Sequence, residues 1–292
     1  MIPRFCNPNS WKETQDSFFI CDEDSPDTAF VEETQDRLFE LEDNSWWFQY
    51  RGKIILSMMD RYFSKKSFTL DIGAGNGYTS ACAARAGYKV GIIEPSISAC
   101  KHARKRGLSP ILCGTVTEDS ILNNSIDQAL MLDCLEHIEE DECMLQMLGK
   151  KMKKGGILLI TVPAFMNLWS SEDDSAGHFR RYTCTELERK VAAAGFEVLQ
   201  RSYFMSFLYI PILFVRVWME RFGFIKKRYD RSIEEQDKLS EKQFLTQSKL
   251  TNYILDWFEH MEQQKLEKNS KISFGSSIIL AAVNVTDSSN NT

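Results

Sequence analysis

Asp71 stands two residues before Gly73, and Gly73, Gly75 and Gly77 alternate through the run Leu70-Asp71-Ile72-Gly73-Ala74-Gly75-Asn76-Gly77. Glycines at that spacing let backbone approach a ligand closely, and an acid beside them suits a ligand carrying an ammonium group. A second acid, Glu94, ends the apolar stretch Lys89-Val90-Gly91-Ile92-Ile93, where a carboxylate can accept both hydroxyls of a ribose. A third chemical group lies in Ser175–Thr183, which packs an imidazole, two guanidiniums and a phenol into His178–Tyr182. His178 is the first choice for a general base because an imidazole titrates near neutrality. Arg181, with its neighbour Arg180, suits pairing with an anionic acceptor, and Tyr182 completes the candidate catalytic set. The competing reading is that His178 and the arginines brace the loop against Glu172, Asp173 and Asp174.

The elements that must hold these residues follow from hydropathy. Ser67–Leu70 reads as a buried strand and Tyr78–Ala86 as a helix, so the glycines form a strand-to-helix turn of nucleotide-binding type. A dinucleotide site calls for Gly-x-Gly-x-x-Gly, because the pyrophosphate needs bare backbone at the helix start. Here Tyr78 occupies the third glycine position, and Asp71 would repel a phosphate. S-adenosylmethionine has no phosphate and offers an α-ammonium to a carboxylate, so the residues favour this donor over a nicotinamide cofactor. A tight turn holding no ligand is the bland alternative.

Beyond the turn, Ser125–Asp133 reads as a fourth strand, Cys134-Leu135-Glu136-His137-Ile138 follows it, and Lys154-Gly155-Gly156 leads into Ile157–Pro163. With the glycine turn, these motifs resemble the class I S-adenosylmethionine-dependent methyltransferases, in the branch of the ubiquinone-biosynthesis O-methyltransferases. The resemblance covers roughly residues 46 to 200 and resumes near 273. It implies a Rossmann-like α/β fold with a seven-stranded sheet and helices on both faces. It also implies that Gly73, Ala74, Gly75 and Gly77 cradle the donor, Asp71 orders its ammonium, and Glu94 holds the ribose with Pro95 beside the adenine. Asp133 and Cys134 are expected beside the methionine moiety. An early arginine meets the methionine carboxylate in this branch, which points to Arg51. The family often carries an adenine-binding acid after its third strand; this chain has Cys113-Gly114-Thr115 there, so Thr115 or a backbone carbonyl must substitute. Glu136 and His137 are expected to be mainly structural, since adjacent helical residues face different ways.

Composition narrows the remaining classes. The 292 residues carry a net charge of −6, which argues against a nucleic-acid partner because that would need a basic footprint. Eight cysteines without paired metal spacing fit free thiols in a reducing compartment, and four scattered histidines give no metal site. The N-terminus has no signal-peptide pattern, and the most apolar stretch, Tyr203–Val215, is interrupted by Pro211 and too short to span a bilayer. The expected location is cytoplasmic, with peripheral membrane contact as an option.

The chain divides into an N-terminal arm or cap (1–45, irregular to residue 30), an S-adenosylmethionine-binding core (46–203), a helical insertion (204–270), a final core strand (271–286) and a disordered tail (287–292). The insertion opens with aromatic Phe204–Phe224, suited to a substrate lid, a homodimer contact or a patch resting on a membrane. A second amphipathic helix places Leu250, Tyr253, Ile254, Trp257, Phe258 and Met261 on one stripe. The expected activity is methyl transfer to oxygen on a small-molecule, sugar or lipid-linked acceptor. The rivals are a non-catalytic S-adenosylmethionine-binding sensor or partner protein and, more remotely, an NAD-dependent oxidoreductase.

Overall fold

Short apolar strands alternating with amphipathic helices bury both faces of a sheet only when its strands run largely parallel. A computed structural model describes residues 3–14, 18–21, 32–230 and 249–286 and shows this arrangement. The strands are β1 (Trp11–Glu13), β2 (Phe19–Cys21), β3 (Phe68–Ile72), β4 (Lys89–Glu94), β5 (Ile111–Cys113), β6 (Ile126–Leu132), β7 (Met152–Pro163), β8 (Phe196–Phe204) and β9 (Ser277–Asn284). They form one sheet in the order β1-β2-β5-β4-β3-β6-β7-β9-β8. β3 pairs in parallel with β4 and with β6, so the chain leaves its first core strand in both directions. That reversal opens a crevice at the carboxyl ends of β3, β4 and β6, the place where α/β sheets bind ligands. β9 runs antiparallel between β7 and β8, with Ile278–Ala282 fully buried.

The arm departs from the expectation of an irregular cap. β1 and β2 form a hairpin, and β2 extends the sheet by pairing in parallel with β5, which makes nine strands where seven were expected. Trp11, Phe18 and Phe19 are buried, and a Cβ on Gly114 would crowd the Trp11 ring at 3.2 Å. Three-residue strands leave too little alternation to be legible in a polar stretch. Helix α1 (Glu32–Glu42) follows, and α2 (Trp46–Tyr62) is capped by Ser45, whose side chain accepts the Phe48 N–H at 3.5 Å.

The described parts of the insertion carry helices. Ser206–Pro211 begins an α-helix, Ile212–Trp218 widens into a π-helix, and Met219–Arg221 returns to α. In the long helix Lys249–Glu267 only part of the expected apolar stripe packs inward: Phe258 stacks on Phe207 at 5.1 Å, Tyr253, Ile254 and Trp257 are exposed, and Glu262 and Leu266 are fully buried. Glu262 accepts from the Tyr50 hydroxyl (2.7 Å), the N–H groups of Met205 and Ser206 (both 2.7 Å) and the Ser206 hydroxyl. A carboxylate buried with four donors compensates its desolvation and ties the insertion to α2. Most of the charged connector and the tail at 287–292 lie outside the described residues.

Candidate active site

The glycine turn has the backbone that its sequence demands. Gly73, Gly75 and Gly77 take φ of 69°, 53° and 74°, the left-handed region that disfavours side chains. A Cβ on Gly73 would lie 2.4 Å from Cys134 Sγ and one on Gly77 would lie 2.6 Å from Leu108, whereas Gly75 faces open space. The first and last glycines are therefore required by packing, and the middle one leaves room for a ligand.

Acids gather around this turn. Asp71 is buried; one oxygen accepts from Ser80 at 2.7 Å and the other, Oδ1, has no hydrogen-bond partner. Burial raises its pKa to about 7, with the charge of Glu94 adding to the effect. Glu94 accepts from the N–H groups of Gly75 and Ser96, both at 2.9 Å, and burial pushes its pKa up. Asp133 follows β6 in the left-handed region (φ 50°), and Glu136 is buried with Oε2 lacking a hydrogen-bond partner. The Cys134 thiol is raised well above its usual range by burial and then by the charges of Glu136, Glu94, Asp71 and Asp133.

Arg51 is the cation placed among these acids. It reaches from α2 to pair with Asp133, donates to Thr161 Oγ1 and Ser277 Oγ at 3.1 Å each, and lies 4.5 Å over the Trp47 ring. Trp47 thus serves the site by stacking on the guanidinium. A cluster of carboxyl groups with orphaned buried oxygens fits a ligand with a sulfonium and an ammonium. Pro95 lies between Glu94 and Ser96; its carbonyl faces the Cys113 thiol at 3.7 Å. The Thr115 carbonyl accepts the Ser120 hydroxyl at 3.0 Å, which fixes the backbone at this strand end and leaves Thr115 or a backbone carbonyl as the candidate for the adenine.

Asn76, which sequence reasoning passed over, locks the turn to the arm. Its amide donates to the Gln35 carbonyl (3.0 Å) and to Glu42 (3.1 Å), and its oxygen meets His102 Nδ1 at 2.9 Å. Glu42 pairs with Arg106 at 2.8 Å, so α1 covers the glycine turn through a polar network. The glycine spacing drew attention away from the one side chain between them that makes three contacts.

On the acceptor side the fold separates the three candidates. His178 Nδ1 lies 2.9 Å from Asp173 Oδ1, and its ring is partly exposed at 16%. Arg181 is buried and grips the same carboxylate through Nε (2.7 Å) and Nη2 (3.0 Å). Those bonds hold the Asp173 pKa below the usual carboxylate range against its burial. Tyr182 is fully buried, with its hydroxyl donating to Asp141 at 2.8 Å. Both expectations for a side chain meeting the acceptor need correction here: Arg181 is occupied by Asp173 and Tyr182 by Asp141, so these two position the loop. The bracing reading and the general-base reading of His178 meet in one dyad, because a carboxylate on Nδ1 fixes the tautomer and frees Nε2.

Glu136 and His137, expected to be mainly structural, sit beside His178. They lie on a single 3-10 turn, Leu135–His137, and the His137 ring meets the His178 ring edge-on at 4.7 Å. Burial and the neighbouring His178 lower the His137 pKa to about 4. Ligand atoms of Glu136, His137 and His178 all lie within 4.8 Å of one another, an arrangement that could hold a cation and that scattered sequence positions concealed. The contact series Gly73, Cys134, His137, His178 joins the donor side to the acceptor side.

This fold and site define a methyltransferase domain of the class I kind. The chain belongs to the methyltransferase-domain family, whose profile matches residues 45–201. Among curated relatives it is 30% identical over 138 residues to the mitochondrial ubiquinone biosynthesis O-methyltransferase of Schizosaccharomyces pombe, covering 40% of this chain and 50% of that protein. It is 33% identical over 109 residues to the ubiquinone biosynthesis O-methyltransferase of Actinobacillus pleuropneumoniae serotype 5b, covering 34% of this chain and 46% of that protein. The chain thus spans about half the length of these relatives. Similar folds include phosphoethanolamine N-methyltransferase 2 of Haemonchus contortus with S-adenosyl-L-methionine (TM-score 0.51, 18% identity, 89% of this chain and 59% of that one). The [4+2]-cyclase SpnF shares the fold as well (TM-score 0.55, 18% identity, 90% of this chain and 97% of that one). The fold alone therefore does not fix the reaction.

Proposed function

We propose that this chain transfers a methyl group from S-adenosylmethionine to an oxygen of a small-molecule acceptor, with His178 as the general base. The observation that carries the reading is the Asp173–His178 dyad, placed one ring contact from the Leu135–His137 turn, whose preceding residue Cys134 packs on Gly73 of the glycine cradle. Similarity to ubiquinone biosynthesis O-methyltransferases supports oxygen as the methylated atom.

When bound, S-adenosylmethionine supplies an electrophilic methyl group on a sulfonium. Asp71 would order the ammonium end, Arg51 the carboxylate, and Glu94 the ribose, exchanging its bonds to Gly75 and Ser96 for the hydroxyls. Gly73, Ala74, Gly75 and Gly77 would supply the bare backbone, Asp133 and Cys134 would flank the methionine, and Pro95 and Thr115 the adenine. His178 Nε2 takes the acceptor's hydroxyl proton, and Asp173 stabilises the resulting imidazolium. Arg181 holds Asp173, and Tyr182 holds the loop through Asp141. Most of the remaining rate enhancement comes from aligning donor and acceptor in a dry pocket.

Lipid-linked acceptors fit this reading because the aromatic insertion borders the His178 loop: Tyr209 accepts from Asn167 at 2.9 Å, and Ser171 donates to Glu220 at 2.8 Å. The deciding experiment supplies labelled methyl donor with pooled metabolites and membrane lipids to the wild-type chain and to His178→Ala. Label in an acceptor that disappears with His178→Ala supports the reading. Tight donor binding with no labelled acceptor favours the non-catalytic sensor, and failure to bind the donor overturns the proposal.

A further inference from the structure

Among the described residues, 206–228 present a run of exposed apolar side chains. Ile210, Phe214, Trp218 and Phe222 recur every fourth residue, which puts them on one helical face, and they are 63%, 56%, 52% and 69% exposed. Phe224 lies just beyond, 76% exposed, and the Phe214 and Trp218 rings are 6.5 Å apart. Four large side chains in register on solvent are far more than scattered surface apolarity.

Charge indicates what covers them. Within 216–230 the exposed charges are Arg221, Lys226 and Lys227 against Asp230, while Arg228 is paired with Glu172, and the whole protein carries −6. Glu220 is buried and faces inward, accepting from the Ser171 N–H (3.1 Å) and hydroxyl (2.8 Å). Arg221, Lys226 and Lys227 are exposed at the end of the stripe where Phe222 and Phe224 project. Aromatic side chains flanked by cations match a bilayer interface with anionic headgroups, and among the described residues no helix is long and apolar enough to cross a membrane.

We infer that the 210–227 face of the insertion docks on an anionic lipid surface, with Phe214, Trp218, Phe222 and Phe224 entering the interface and Arg221, Lys226 and Lys227 holding the headgroups. A second copy of this chain would cover the aromatic side chains but would offer no anionic headgroups to the cations at 221–227. The opposite side of the same segment anchors the acceptor loop through Asn167–Tyr209, Ser171–Glu220 and the Arg228 N–H on Ser171 Oγ at 2.7 Å. Docking therefore brings the His178 side of the molecule to the lipid. That consequence rests on the proposed function; lipid binding itself does not.

The test is co-sedimentation of the full chain with vesicles of phosphatidylcholine alone or mixed with phosphatidylglycerol, without donor or acceptor present. The expected result is about tenfold stronger recruitment to the anionic vesicles, diminished at high salt. Trp218→Ser with Phe222→Ser should lower that binding about tenfold or more, and Lys226→Glu with Lys227→Glu should remove the preference for anionic lipid. Because these side chains are exposed, unchanged circular dichroism and donor affinity serve as folding controls. Equal association with neutral vesicles, unaltered binding by the variants, or no vesicle binding alongside a dimer by light scattering would overturn the inference. A failed methylation assay leaves this result unaffected, so the two readings fail separately.

Discussion

Around Gly73–Gly77 the groups that would meet a ligand come from the ends of β3, β4 and β6, adjacent strands of one sheet. Around His178 they come from a 3-10 turn, a six-residue helix, a loop and a distant insertion. The first region is held by backbone that only glycine accepts easily and by carboxyl groups with nowhere else to go. The second is held by side-chain bonds: Asp173 to His178 and Arg181, Asp141 to Tyr182 and Lys190, Glu220 to Ser171. Strand ends place the groups of the first region, while bonds between separate short elements place those of the second. The strain in the acceptor half is local: Phe165, next to β7, takes φ 59° with ψ 118°, outside the ordinary left-handed region, and stacks on Tyr203 at 4.6 Å.

The contrast is broken most severely at Gly73. Gly73→Val would force atoms into Cys134 Sγ and adopt a disfavoured φ, so donor binding should fall by at least about a hundredfold, roughly 3 kcal/mol. Calorimetric titration with the donor measures this, and Gly73→Ala combined with Cys134→Ala should recover part of the loss. On the other side, His178→Ala should lower kcat by about 10²–10⁴-fold and leave donor affinity unchanged. If donor affinity fell with it, the two regions would not be separable in the way the bond pattern indicates.

The two regions were unequally legible. Asp71, the glycines and Glu94 could be read because strand, turn and acid occupy fixed offsets along the chain, and short continuous apolar runs mark the doubly buried strands. The His178 loop was visible as a concentration of chemistry, but its partners were not ranked: Asp173 stood among three acids, and it is selected by the fold, which turns it toward His178, Arg181 and the Ser170 N–H together. Nothing in spacing showed that Arg181 and Tyr182 turn inward. The β1–β2 hairpin escaped because three-residue strands carry no periodic signal, and Glu262 because a buried acid looks like a surface one until its four donors are assembled.

A smaller effect separates the insertion from the core. Glu262→Ala removes the acceptor shared by Tyr50, Met205 and Ser206, leaving buried donors unsatisfied at about 1–3 kcal/mol. Thermal unfolding should therefore begin earlier, by a few degrees, while donor affinity at the glycine turn changes little. Equal losses in both would show that α2, which carries Tyr50 and Arg51, couples the regions.

The mildest expected effect is a pH dependence confined to the donor side. Asp71 titrates near 4 in the unfolded chain and at about 7 in the fold, because burial penalises its charge. Between those values the folded state binds the extra proton, so Asp71 lowers stability as pH rises from about 4 to 7 and adds no further change above. A cationic donor reverses the preference, since it favours the ionised carboxylate. Donor affinity should then rise with pH up to about 7 and level off, by at most about tenfold per pH unit. Glu42 is also raised to about 7 by burial and touches the turn through Asn76, so it titrates in the same window. The two are told apart by substitution: Asp71→Asn should flatten the pH profile of donor binding, while Glu42→Gln should preserve it and change mainly the docking of α1. A profile that stays steep in Asp71→Asn but flattens in Glu42→Gln would move the pH-sensitive contact from the strand end to the arm, and the donor region would then depend on side-chain bonds between separate elements as much as the acceptor region does.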